Sequence, residues 1–104
     1  MSRTRVWDDV ENHRFVIEVD GEQAGLAVYH LRGGRYLFVH TEVDDAFAGK
    51  GVGTTLVEQS LQQVRDLGAQ IVPLCPFYIA YLERHPEQTD LVDHELLARI
   101  NSKR

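Results

Sequence analysis

A lone cysteine, Cys75, cannot close a disulfide within this 104-residue chain, and a single thiol suits a reducing compartment. No apolar run approaches the length that crosses a bilayer, and the segment from Met1 to Asp8 lacks the apolar stretch of a secretory leader, so a cytoplasmic, membrane-free protein is expected. Basic residues are outnumbered, 11 against 16 acidic, giving a formal charge of −5. They are scattered except for a short tail of Arg99, Lys103 and Arg104, which leaves no basic face and argues against a nucleic-acid partner. The histidines, at 13, 30, 40, 85 and 94, have no paired ligand spacing with one another or with Cys75, so no metal is expected. There is no internal repeat and no low-complexity tract.

What is present is ordinary globular material, 43% apolar and 26% charged. The length leaves room for one domain, residues 1–104, around one modest core, so any site must be built from a few elements. Residues 14–43 read as an antiparallel meander. Arg14 to Asp20, Ala24 to Leu31 and Tyr36 to Val43 are strand-like, with turns at Asp20-Gly21 and Gly33-Gly34. Carrying strand parity through two-residue turns sorts the side chains onto two faces. Phe15, Ile17, Val19, Leu26, Val28, Leu37, Val39 and Val43 fall on one. Val16, Glu18, Ala27, Tyr29, Leu31, Tyr36, Phe38, His40 and Glu42 fall on the other. Both are largely apolar, so both should be covered.

Beyond Val43 a polar loop leads to Gly49-Lys50-Gly51-Val52-Gly53. From there Val52, Leu56, Val57, Leu61, Val64 and Leu67 follow helical spacing, and Gly68 is placed to end the helix. A fourth strand is read at Gln70 to Cys75. Pro76 then opens a second helix that Pro86 stops, and a terminal helix is read from Asp93 to Ile100 through Leu96, Leu97 and Ile100. Strand, helix, strand across 36–75 predicts a right-handed crossover, with the first helix on one face of the sheet and the Pro76 helix on the other.

Three glycines at alternate positions, between a strand and a helix start, let backbone approach a ligand closely and aim free N–H groups at one point. The helix dipole favours an anion there, so phosphate or pyrophosphate is the natural occupant, with Lys50 as charge partner and Thr54 or Thr55 as hydroxyl donors. A Walker loop is excluded, because the one lysine precedes the second glycine. The dinucleotide fingerprint fails at its third glycine, where Thr54 stands. The competing reading is a tight turn and helix cap alone.

The run Ala48-Gly49-Lys50-Gly51-Val52-Gly53 resembles the acetyl-CoA signature of the GCN5-related N-acetyltransferases, the GNAT superfamily, following a strand that carries His40-Thr41-Glu42-Val43. Ile71 to Val92, with Cys75-Pro76-Phe77, Tyr81, His85-Pro86-Glu87 and Leu91-Val92, is similar to the compact YjdJ-type subfamily. Two departures stand out. Ala48 occupies a position where the signature has Arg or Gln, and a tight turn at Gly21 replaces the helical pair that ordinarily helps shape the acceptor site. The resemblance implies an α/β (α+β) GNAT-like domain, a three-strand meander plus a further strand after the crossover helix, with helices on both faces. It further implies acetyl-CoA as co-substrate and an unidentified small amine or peptide amine as acceptor. The pantetheine arm would pair with backbone near Val43, the amides of Gly49, Lys50, Gly51, Val52, Gly53 and Thr54 would hold the pyrophosphate, and Ala48 would border the cofactor. The thioester would lie near Cys75 and Phe77.

Acetyl transfer needs a neutral amine, a stabilised oxyanion and a protonated leaving thiolate. Glu42, read on the apolar second face where partial burial would suit a base, is the first candidate; a rim carboxylate is the competing reading. His40 lies two residues earlier, as a second base or a core histidine. Tyr81 is the expected acid by resemblance, whereas Tyr78 reads as packing. Cys75, between a strand end and a helix start, is either a thiol that contacts or transiently carries the acetyl group, or an apolar filler. The competing functions are a non-catalytic acyl-CoA binding or sensing module and a cysteine-dependent acyl carrier. A monomer or weak homodimer is expected, the latter through an unprotected outer strand.

Overall fold

A computed structural model of the chain describes residues 3–103. Met1 and Ser2 of the N-terminal segment, and Arg104 of the basic tail, lie outside the described residues. Five strands form one mixed sheet in the order of the chain. β1 (Thr4–Asp9), β2 (Arg14–Val19), β3 (Glu22–Arg32) and β4 (Arg35–Val43) run antiparallel, and β5 (Gln70–Pro73) pairs parallel to β4 after α1 (Val52–Asp66). α2 (Pro76–Arg84) and α3 (His94–Ser102) follow, separated by a 3₁₀ stretch at Pro86–Leu91. The α+β architecture with helices on both faces is the one expected, with β1 added at the outer edge.

Both hairpin turns use two residues in the left-handed region, Asp20 and Gly21 (φ 52° and 83°) and Gly33 and Gly34 (φ 55° and 80°). Such turns match the twist of the strands they join. The side chains nevertheless do not sort by simple parity, because each hairpin carries a bulge. Register slips between Ile17 and Glu18 against Ala24, and between Val28 and Tyr29 against Val39. One unpaired residue moves every later side chain to the opposite face. Phe15 and Ile17 therefore share a face with Ala27, Tyr29 and Phe38, whereas Leu26, Val28, His40 and Glu42 lie on the other.

A second correction concerns α2, which packs beside α1 rather than across the sheet from it. The core between the sheet and these two helices gathers Phe15, Ile17, Tyr29 and Phe38 with Leu56, Leu61, Val64, Tyr78 and Tyr81. Tyr78 stacks on Phe38 at 4.1 Å, and its hydroxyl lies 2.7 Å from that of Ser60 on α1. Ser60 donates to the Val57 carbonyl, so Tyr78 donates to Ser60. α3 covers the opposite face instead, through Leu96 against Leu37 and Val72, with Leu97 and Ile100 beside them. Asp93 caps α3 by accepting from the Leu96 amide at 3.0 Å, and pairs with Arg35 at 2.8 Å.

α1 ends as its sequence predicts. The amides of Gly68 and Ala69 bond back to Arg65 and Val64, with Gly68 at φ 73°, which closes the helix in a Schellman motif.

Candidate functional site

β4 and β5 run together only as far as Phe38 and Pro73, followed by one bond from the Leu74 amide to the Phe38 carbonyl at 2.9 Å. Beyond that the strands part, with the Val39 bulge at the point of parting. The Asp44 amide bonds to Ala24 on the β3 side, so alternation along β4 directs the backbone groups of Val43 and Thr41 to the open side. A free strand edge thus faces the gap.

The glycine segment lies at the end of this gap. Gly49 and Gly51 have φ of 77° and 75°, and an added Cβ at either would meet no atom within 4 Å, so glycine is required there by backbone conformation. Gly51 is the N-cap of α1 and no side chain caps the helix. The amides of Val52, Gly53 and Thr54 therefore stay free of helical partners, since the first helical bond runs from the Thr55 amide to the Gly51 carbonyl. Gly53 keeps the cradle open in a different way: a Cβ there would lie 2.5 Å from the Phe77 ring of α2 and displace it.

A cavity of about 250 Å³ joins these parts, lined by Val43, Ala48, Gly49, Gly51, Val52, Gly53, Thr54 and Phe77, together with Phe47. The structure thus gathers most of the predicted cofactor-binding residues. Lys50 lies over the Phe47 ring, 5.9 Å from its centre. The Thr55 hydroxyl donates to the Gly51 carbonyl at 3.0 Å, which leaves Thr54 as the outward hydroxyl. Phe47 was missed by sequence reasoning; its only signal was an apolar residue inside a polar loop.

Cys75, 2% exposed, is the N-cap of α2, and its Sγ lies 3.1 Å from the Thr41 hydroxyl across the parted strands. Thr41 was also missed, because the parity argument without the Val39 bulge turned it away from the core.

The acid–base candidates are not gathered in the same way. Glu42 and His40 form a pair at 3.4 Å, with side chains 62% and 60% exposed, so the expected partial burial of Glu42 is not found. Glu42 lines a separate hollow of about 180 Å³ with Gln23, Gly25 and Leu26, and Val43 borders both hollows. Tyr81 is 3% exposed and stacks on His85 at 4.3 Å. Burial, then the charges of Glu58 and Glu87, raise its phenol above the ordinary tyrosine value and keep it protonated. Tyr78 is enclosed, and burial holds its phenol far above the ordinary range.

The site is thus a gap between parted strands, closed at one end by an uncapped, glycine-led helix. The family model for the GCN5-related N-acetyl-transferases matches residues 14–91, most of the chain, and the protein belongs to that family. No curated protein matches it in sequence. The crystal structure of the ribosomal-protein-S18-alanine N-acetyltransferase from Escherichia coli is similar at a TM-score of 0.58 and 18% identity, over 68% of this chain and 49% of that one. The chain spans about half the length of that enzyme. The solution structure of a GCN5-like protein from Staphylococcus aureus is similar at 0.65 and 22% identity, over 88% of this chain and 90% of that one. At these identities the likenesses speak for the fold.

Proposed function

We propose that the protein binds acetyl-CoA in the cavity between Val43 and the start of α1, and transfers the acetyl group to an amine by direct attack. One observation carries the reading: the free amides of Val52, Gly53 and Thr54 open into the same cavity as the unpaired edge of β4. Helix-start amides suit a pyrophosphate, and a free strand edge suits the two amides of a pantetheine arm. The narrower resemblance to the YjdJ-type subfamily belongs to the same proposal, through Cys75, Phe77 and Tyr81.

In this reading the neutral amine attacks the thioester carbonyl, a C–N bond forms, the C–S bond breaks, and the departing thiolate takes a proton. Tyr81, held protonated, is the donor proposed for that step. Glu42 is proposed to take the amine's proton through water, since it is exposed, with His40 as its partner. Cys75 is proposed to border the thioester. Titration with acetyl-CoA followed by amide NMR tests the site, and an absence of shifts at Gly49 to Thr54 would refute it. Release of free CoA across a panel of amines tests transfer.

A second reading, a non-catalytic acyl-CoA binding module, is favoured by one feature. Glu42 and His40 lie on the sheet face away from Phe38 and Tyr78, so no candidate base lines the cavity. Acetyl-CoA binding without CoA release on any amine would select it.

A further inference from the structure

A third hollow, of about 320 Å³, lies between α2 and α3. Its walls include Leu74, Ile79, Leu82, Val92 and Leu97, with the exposed Glu83 beside them. We infer that this groove is the acceptor site, and that it takes a small primary amine carried on an apolar chain. The inference rests on the acetyl-transfer reading above.

Position is the first argument. Leu74 precedes Cys75 directly, and the Ile79 amide donates to the Cys75 carbonyl at 3.1 Å, so the α2 wall of the groove starts one turn from Cys75. Phe77 lines the cradle beside Gly53 and Ile79 lines the groove. Two residues apart on a helix, they project to opposite sides of it. The cradle and the groove thus lie on opposite sides of α2 and both begin near its N-cap, Cys75, which itself lines neither; a nucleophile from the groove would reach the thioester past Leu74.

Chemistry is the second. The lining is mostly apolar, and the exposed Glu83 is its one acidic residue; His94, also in the lining, points Nε2 at the Thr89 carbonyl, 3.0 Å away. A carboxylate on an apolar wall complements an ammonium at the end of a hydrocarbon chain. The volume is at the small end of ligand pockets, which favours a small molecule over a folded partner. Bound as the ammonium, the acceptor loses one proton to solvent; the free amine then attacks the acetyl carbonyl, a C–N bond forms as the C–S bond breaks, the nitrogen gives up a second proton, and the departing CoA thiolate takes one up.

The test uses the full chain with hexylamine as probe, which is an ammonium at neutral pH, in the presence and absence of CoA. Amide shifts are expected at Leu82, Thr89 and Leu97. Glu83→Gln, and Ile79→Lys at an exposed position, are each expected to weaken binding about tenfold or more. Both should lower kcat/KM for hexylamine to the same degree while leaving the acetyl-CoA shifts at Gly49 to Thr54 in place. Hexylamine shifts confined to other residues, or affinity unchanged in both variants, would overturn the assignment. So would groove shifts that follow protein dilution rather than amine, because a second copy would then be the occupant. If hexylamine binds the groove but acetyl-CoA leaves Gly49 to Thr54 unmoved, the transferase reading fails and the amine site stands.

Discussion

Gly51 and Gly53 are two residues apart, yet an alanine should act at each by a different mechanism. At Gly51 the space is open but φ is 75°, so alanine carries only the left-handed backbone penalty. That penalty is about 1–2 kcal/mol, a fall in Tm of roughly 4–15 °C for a domain of this size. At Gly53 the backbone is helical and the space is absent, with Phe77 Cε1 2.5 Å and Cζ 3.1 Å from the added methyl. Phe77 is 43% exposed, so its ring can swing aside. Alanine also gains helix propensity of about 1 kcal/mol over glycine, which offsets the ring's displacement. Gly53→Ala should therefore leave stability within about 1 kcal/mol of the parent while reshaping the cradle, and acetyl-CoA affinity should fall about tenfold, or about 1.4 kcal/mol. Thermal melts and acetyl-CoA titrations of the two variants decide the matter. If Gly53→Ala binds acetyl-CoA with parental affinity at parental Tm, the cradle is not where the cofactor's phosphates sit.

Four further outcomes are expected. Ser60→Ala should cost about 1–3 kcal/mol in urea denaturation, because it strands the buried Tyr78 hydroxyl, whereas Tyr78→Phe should cost only about 1 kcal/mol, because Ser60 keeps its bond to Val57; equal losses would contradict the donor order. Asp93 is held below the ordinary carboxylate value by the Leu96 amide first and by Arg35 second, so its contribution is present above the unfolded value of about 3.9 and is lost as pH falls through the lower folded value. Asp93→Asn should make acid unfolding less steep below about pH 4, and an unchanged slope would place the effect elsewhere. Cys75, enclosed and bonded to Thr41, should react with a thiol reagent far more slowly in the folded than in the urea-unfolded chain, and Cys75→Ala with full turnover would exclude an acetyl-cysteine route. Glu42→Gln should lower kcat for transfer about a hundredfold or more, with acetyl-CoA affinity unchanged, if Glu42 is the base, and leave kcat intact if it is a rim carboxylate.

The helices and turns were legible because their signals are local. The α1 stripe, Gly68 as its terminator, the Pro76 start and the two-residue turns each depend on neighbours within about five positions. The glycine cradle was legible for the same reason, since conformation and helix start coincide in one short run. The N-terminal strand was not, because Thr4–Asp9 is held by pairing with β2 and by the bond from the Asp20 amide to the Arg3 carbonyl. The position of α2 was not either, since only the Phe38 to Tyr78 stack and the Ser60 bond decide which face it covers.

The bulges had the largest consequence for function. A bulge leaves no mark in the composition of either strand, because Ala24 and Val39 are residues any strand accepts. Yet the slip opposite Val39 alone decides which of His40, Thr41 and Glu42 faces the helices. Without it His40 and Glu42 would point toward Tyr78 and Thr41 away; with it, Thr41 meets Cys75 at 3.1 Å, and the two titratable groups pair at the surface. The inner end of the gap is thus furnished with a hydroxyl and a thiol, neither a strong base, so proton removal from the amine must occur at the rim or in solvent. In the proposed reading an acceptor that enters from the α2 and α3 side meets that requirement, since it is bound as the ammonium beside the exposed Glu83 and gives up its proton to solvent there, before it reaches the thioester. The transfer rate should then rise with pH as the free-amine fraction grows.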